Sequence, residues 1–213
     1  MLHVARHFIL EKGKIMQMAV KSFLAVLLIS GLLGCAGKDF VRPTPETFKL
    51  GQTTYSQVIQ KMGEPRRAGD TLKNGKNVKA VTYVYASTGG EPLETGVTPA
   101  RGQTYYFYND TLVGQEFISS FKSDNSNFDE KRVEDIKKGQ TTRADAIKLL
   151  GEPTATFIPP MVKDTSGEAI GYTYQAVRGG LFSGLKNSIK VLRISFDDKS
   201  LVSDIDYTSS DNK

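Results

Sequence analysis

Apolar and polar positions change period several times along the chain, and each change marks an element. Between 55 and 62 the residues Tyr55, Val58, Ile59 and Met62 recur at i, i+3, i+4 and i+7, one apolar stripe of a helix. Thr54 and Gln57 stand at the Thr-x-x-Gln spacing of a capping box, in which the hydroxyl accepts an orphan amide and the amide side chain reaches back. Gly63 supplies a left-handed residue to end the helix, and Pro65 blocks its continuation. Residues 79–86 (KAVTYVYA) are then rich in β-branched and aromatic side chains. Residues 104–108 and 112–121 flank Asn109-Asp110, a hairpin signal.

The helix phrase is written twice. GQTTYSQVIQKMGEP at 51–65 returns 88 residues later as GQTTRADAIKLLGEP at 139–153, identical at eight of fifteen positions. The second copy keeps the plan with Thr142, Ala146, Ile147, Leu150, Gly151 and Pro153, and Asp145 in place of Gln57 weakens its capping box. A charged helix at 128–138, with Phe128, Val133 and Ile136 as its few apolar contacts, precedes this copy. A shorter one at 45–50 precedes the first, so each repeat opens as helix, glycine turn, helix. Strands follow at 172–177, 191–196 and 201–207, and Tyr172-x-Tyr174 matches Tyr83-x-Tyr85. Tyr108 and Phe196 keep the 88-residue offset, and one extra turn residue then sets Leu112 onto Leu201. The segments after Pro65 and Pro153 are candidates for a fourth strand in each repeat.

This order predicts an α+β fold: two tandem α-α-β units of three or four strands, with antiparallel sheets packed on helix pairs. The first unit spans 47–125, the second 126–208, and 209–213 is a tail. The two are expected to share one body, because each alone is small for a stable core. The pattern leaves open whether they share one sheet or form two.

Ahead of the repeats, Lys21 precedes the apolar run 22–34, which is short of the roughly 20 residues a membrane-spanning helix needs and has the parts of a secretory signal peptide. Residues 1–34 are therefore read as a leader. Residues 1–15 read as sequence upstream of a start at Met16 or Met18. Leu32-Leu33-Gly34-Cys35 resembles the lipobox of bacterial lipoproteins, with Leu33 a less usual residue at its position, and the chain's one cysteine stands where that motif needs it. The resemblance implies cleavage before Cys35 and a diacylglycerol and N-acyl lipid, such as palmitate, on it. Residues 35–46, with Pro43 and Pro45, read as the lipidated tether. Ala36 follows the cysteine in place of the Asp that commonly retains such proteins at the inner membrane. Outer-membrane anchoring, facing the periplasm of a Gram-negative-type bacterium, is what that resemblance implies.

Processing changes what the composition says. The whole chain has a formal charge of +5, two histidines and one cysteine. Loss of Arg6, Lys12, Lys14, Lys21 and Glu11 lowers the charge to +2, and His3 and His7 go with them. A mature chain without histidine or free thiol excludes His-based triads, cysteine nucleophiles and the usual zinc sites. No metal or cofactor beyond the Cys35 lipid is expected. Without a run of Lys and Arg there is no electrostatic footprint for nucleic acid. Carboxylate-pair hydrolysis is the catalytic alternative left open, but no pair is singled out by its surroundings, and the chain reads as a non-enzyme.

The Gly-x-Thr-Thr helix phrase with its Gly-x-Pro ending, followed by strands in a protein with a lipobox, resembles the SmpA/OmlA family of outer-membrane lipoproteins, which includes the BamE subunit of the β-barrel assembly machine. In doubled form it resembles the architecture of β-lactamase inhibitory protein, whose sheets form a concave surface that grips an enzyme. The phrase covers about 15 residues per repeat, and its Gly, Thr and Pro positions are explained by capping and termination, so no functional residue carries over. The resemblance implies a non-catalytic envelope lipoprotein binding a protein partner through its sheet face and loops, as a scaffold or accessory subunit in outer-membrane assembly. The alternative it implies is an inhibitor of an envelope or foreign enzyme.

Binding residues are sought in two long connections, 87–103 and 178–190, which occupy equivalent places in the repeats and each begin near a Gly-Gly pair. The second carries Arg178, Leu181, Phe182 and Leu185, apolar residues among glycines on a basic loop suited to a protein partner or a lipid surface. In 105–108 alternation sends Tyr105 and Phe107 to one face and Tyr106 and Tyr108 to the other, which makes Tyr106 and Tyr108 candidates for an exposed binding face.

Overall fold

Both capping boxes form as the sequence predicts, and they start the two α-helices. The computed structural model describes residues 37–87, 89–164, 167–180 and 184–211, so the expected leader, Cys35, Leu181, Phe182 and the last two residues of the expected tail lie outside the described residues. Helix α1 is Tyr55–Met62, with Thr54 and Gln57 exchanging side-chain and backbone bonds at its start. Helix α2 is Arg143–Leu150, where Thr142 and Asp145 do the same, so aspartate completes the box as well as glutamine does. Each ends at a glycine of positive φ, Gly63 and Gly151, whose amide donates to Ile59 and Ile147.

The strands are β1 (Arg67–Lys73), β2 (Lys76–Ala86), β3 (Ala100–Tyr108), β4 (Thr111–Ser119), β5 (Ala155–Phe157), β6 (Glu168–Gly180), β7 (Gly184–Phe196) and β8 (Val202–Asp211). They form one antiparallel sheet in sequence order, β1 to β8. The strands expected after Pro65 and Pro153 are thus β1 and β5. The two halves share one sheet because β5 pairs with β4 through Gly114–Phe157, Gln115–Thr156 and Glu116–Ala155. At this joint Gly114 makes room for the rings packed over it: a Cβ there would lie 2.8 Å from the Phe157 ring and 3.2 Å from the Tyr106 ring.

The expected α+β fold of helix pairs beneath sheets is overturned. The described chain is mostly antiparallel sheet, with two eight-residue α-helices and one 3₁₀ helix, Glu130–Asp135. The first helix of each expected pair does not form. Residues 45–50 make turns, and 128–138 yields only the 3₁₀ segment, because too few apolar side chains anchor either stretch. In place of a helix end, Gly51 (φ +74°) and Gly139 (φ +69°) donate to Leu112 at 2.8 Å and Val202 at 2.7 Å. The Leu112 and Val202 amides donate back to Thr53 and Thr141, tying each phrase to the sheet. The Thr53 and Thr141 hydroxyls are buried and accept the Lys49 and Lys137 amides, both at 2.8 Å. Every position of the Gly-Gln-Thr-Thr phrase except the glutamine therefore has a fixed structural task.

Pairing also corrects the alignment of the halves. Phe107 faces Leu112 as Phe196 faces Val202, each beside a bulge, so Phe107 and not Tyr108 corresponds to Phe196, and Leu112 corresponds to Val202 and not Leu201. One residue is gained before β6 and a second in the 197–200 turn. Beneath α1 lie Val81, Tyr83, Tyr105, Phe107 and Leu112, and beneath α2 lie Ile170, Tyr172, Leu192, Ile194, Phe196 and Val202. On the reverse face Val78, Val113, Ala155, Phe157 and Ala169 are covered by Met161 and Val162. No helix among the described residues is long and apolar enough to cross a membrane.

Candidate functional site

Because β5 begins only at Ala155, opposite Gly171, β6 has no strand beside it from Tyr172 onward on that side, and its backbone is satisfied by other means. The Thr154 hydroxyl accepts the Thr173 amide at 3.2 Å, and the buried Ser126 hydroxyl donates to the Thr173 carbonyl at 2.6 Å. Further along, Thr98 donates to the Val177 carbonyl at 2.9 Å and Val97 bridges to Arg178. The loop after β2 is thus stitched to the far end of β6, and the two connections singled out in the sequence meet.

The expected loop at 178–190 is instead a β-hairpin. β6 and β7 pair from Glu168–Phe196 to Gly180–Gly184, whereas β8 accompanies β7 only from Ser188 onward. Gly179 (φ +104°) and Gly184 (φ +70°) lie near its end. The hairpin therefore projects past both neighbours as a two-stranded ribbon, with Arg178 directly opposite Lys186 and Leu185 opposite Gly179. Leu185 is 75 % exposed. Ala100–Gln103, likewise expected in a loop, open β3.

At the base of the ribbon lies a cleft of about 600 Å³ between the 94-loop, the 127–130 segment and strands β6 to β8. Glu94 is held at both oxygens: the Tyr174 hydroxyl donates to Oε1 at 2.7 Å, and Arg178 pairs with Oε2. Arg178 also donates to the Ser188 hydroxyl at 3.0 Å. Opposite, the Tyr207 hydroxyl donates to Glu130 at 2.7 Å, and Lys190 stands 3.9 Å from the same oxygen. Lys190 also donates to the Phe128 carbonyl at 3.1 Å and lies over the Phe128 ring. Burial first, and then the hydrogen bond to Glu94, raises the Tyr174 phenol well above its ordinary value. Tyr207 is raised by the same two causes, with Glu130 as its partner. The sequence marks Lys190 as part of the basic connection and Tyr174 through its Tyr-x-Tyr match, whereas nothing local points to Glu94 or Glu130.

Tyr106 and Tyr108 do not join this site. They sit half-buried on the reverse face against the cluster of Phe157, Met161 and Val162, so the open aromatic face expected there is covered. The Tyr106 hydroxyl donates to Glu116 at 3.3 Å, Thr173 donates to the other Glu116 oxygen at 2.8 Å, and Arg193 stacks 4.5 Å from the Phe157 ring. Of the candidate binding residues, then, Arg178 lines the cleft, Leu185 stands on the ribbon above it, and Leu181, Phe182 and Cys35 lie outside the described residues. Among the described residues no group of three His, Cys, Asp or Glu side chains converges to hold a metal.

The chain's segment next to Cys35 is anchored to the sheet. Gly37 bridges to Tyr85, Phe40 packs edge-on to Tyr83, and the Phe40 carbonyl accepts from Arg101 at 3.0 Å. Arg101 in turn pairs with Asp124 at 3.2 Å and lies over the Phe121 ring, and Arg42 donates to the Pro153 carbonyl at 3.2 Å.

No protein-family model matches the chain, so the SmpA/OmlA likeness rests on the repeated phrase and the lipobox alone. No curated protein matches either. Among solved structures, a Streptococcus mutans protein described as a "putative beta-lactamase inhibitor protein" aligns at 13 % identity and a TM-score of 0.37, over 73 % of this chain and 82 % of that chain. A likeness of that size is distant and carries no argument about function.

Proposed function

We propose that the protein is a non-catalytic, lipid-anchored envelope protein that binds a protein partner by accepting a strand on the open edge of β8. One observation carries this reading. Beyond Val202, β8 has β7 on one side and no strand among the described residues on the other, and its final residues line the cleft. An exposed edge offers unpaired N–H and C=O groups to an incoming strand, and an adjoining cleft offers side-chain pockets that select it. The opposite edge, β1, is shorter, seven residues against ten in β8.

Two carboxylates, Glu94 and Glu130, do line the cleft, which is the arrangement a hydrolase would need. Their engagement supports the non-catalytic reading instead. Both Glu94 oxygens and one Glu130 oxygen are already committed to a phenol and a cation. Membrane attachment through Cys35, at the outer membrane and facing the periplasm, belongs to the same proposal and is supported by the lipobox and Ala36.

The test is site-specific photo-crosslinking in cells, with the reactive side chain at Thr208 on β8 or at Lys61 on α1. A discrete product from position 208 and none from 61 is expected. A barrel-assembly component in that product supports a scaffold, which the lipid anchor favours, and a single soluble enzyme supports an inhibitor. Equal, diffuse labelling from both positions retires strand addition. A Cys35→Ser protein that still reached the membrane and matured normally would sink the anchor.

A further inference from the structure

We infer that the β6–β7 ribbon is a membrane-contacting arm, which lays Leu185 into the lipid interface and sets Lys186 among anionic headgroups beside the anchor. The inference rests on the reading of Cys35 as the lipidated residue. Gly37 is fixed against the sheet: it bridges to Tyr85 at a φ of +72°, and a Cβ on it would lie 2.0 Å from the Val84 carbonyl oxygen. One residue, Ala36, separates this fixed backbone from Cys35, so the lipidated position lies two steps along the chain, a reach of about 7 Å at full extension. The lipid surface therefore passes close to the C-terminal end of β2.

The ribbon stands at that same end of the strands. Pairing runs antiparallel throughout, so the end of β2, the start of β3 and the end of β6 lie together, with the β1–β2, β3–β4 and β7–β8 turns at the other end. A short bonded path joins anchor and ribbon: Gly37 to Tyr85, Ser87 donating to Pro99 at 3.0 Å, and Thr98 donating to Val177 at 2.9 Å. With about 5 Å per strand spacing and about 3.8 Å per residue, the path holds Val177 within about 25 Å of Gly37.

The ribbon's chemistry fits that neighbour. Leu185 lies on one face, while Arg178 and Lys186, directly opposite each other, share the other. Like charges facing across a strand pair are unfavourable unless an anion intervenes. Glu94 neutralises Arg178, but among the described residues Lys186 forms no ion pair. Lys38, exposed beside the anchor, forms none there either. An exposed leucine next to a lysine without an ion-pair partner is the chemistry of an interfacial segment on an anionic membrane.

The experiment uses the mature lipoprotein in vesicles of phosphatidylethanolamine and phosphatidylglycerol. Its single native cysteine is consumed by the lipid, so Leu185→Cys and Lys199→Cys each give one site for a nitroxide label. Lys199 lies in the exposed turn at the opposite strand end. On protein that floats with the vesicles, the ratio of oxygen to aqueous-nickel accessibility at 185 is expected to be severalfold higher than at 199. Lys186→Glu should lower that ratio without releasing the protein. Equal, water-like ratios on vesicle-bound protein overturn the arm, as does a label at 185 that leaves water only when a partner protein is added. Protein that carries no lipid mass and does not float overturns the anchor, and the inference with it.

Discussion

The Tyr172 hydroxyl donates to the carbonyl oxygen of Gly151 at 2.8 Å, and in the other half Tyr83 does the same to Gly63, also at 2.8 Å. Each glycine closes an eight-residue helix and turns away at positive φ, leaving a carbonyl that no helical amide can reach. A tyrosine rising from the sheet supplies the missing donor, so each helix is capped at its start by its own threonine and at its end by the core beneath it.

Replacing either tyrosine with phenylalanine keeps the ring packing and strands one carbonyl. Tyr83→Phe and Tyr172→Phe are each expected to lower unfolding stability by about 1–2 kcal/mol in urea melts. Because the two sites lie in separate core clusters, the double variant should come close to the sum. Losses of only a few tenths would mean that water replaces the phenol.

The two threonines of the phrase should separate by mechanism. Thr54→Ala and Thr142→Ala remove N-caps and should each cost about 1 kcal/mol. Thr53→Val and Thr141→Val keep the shape but remove the acceptor for the Lys49 and Lys137 amides. Those amides should then exchange their hydrogens markedly faster, with α1 and α2 still helical by circular dichroism. Unchanged protection at 49 and 137 would show that these hydroxyls are dispensable.

Gly114→Val tests the joint between the halves. Its side chain would press on Phe157, Tyr106 and Met161 where β4 meets the three-residue β5. Overpacking there should cost about 1–3 kcal/mol, with faster amide exchange confined to β5 and its partners. A uniform loss of protection across the sheet would show that the joint and the halves unfold together.

Alkaline pH should act through the buried phenols. Burial pushes Tyr83 up to about 12 and raises Tyr105 and Tyr172 in the same direction. An unfolded tyrosine ionises near about 10, so above that pH the folded state binds more protons than the unfolded one. Their contribution to stability is complete below pH 10 and is lost as pH rises through the folded values. Tyrosinate absorbance from these residues should therefore appear together with loss of circular dichroism. Full ionisation near pH 10 on an intact fold would contradict it.

Some of this architecture could be read in particular residues. Thr54, Gln57 and Gly63 mark α1 within a few positions, because a cap depends only on dihedral preference and neighbours a turn away. Asn109-Asp110 adopts positive φ at both residues, as a two-residue hairpin turn requires, and Asn74-Gly75 between β1 and β2 does the same from an equally legible pair. Residues 128–138 read as a helix because their charged side chains have good helix propensity, whereas an isolated helix of that length needs an apolar face to hold it.

The sequence by itself determined the duplication, both helices with their caps, and the alternation that buries Tyr105 and Phe107, all of which are written in neighbours within a few residues. Only the tertiary structure decided that the halves join through Gly114 and Ala155 into one sheet, that Met161 and Val162 cover Tyr106 and Tyr108, and that Glu94 meets Arg178 at the base of a projecting ribbon. Those outcomes turn on which distant segments pack together and satisfy the backbone left open ahead of β5, and no local period encodes the partner of an unpaired carbonyl.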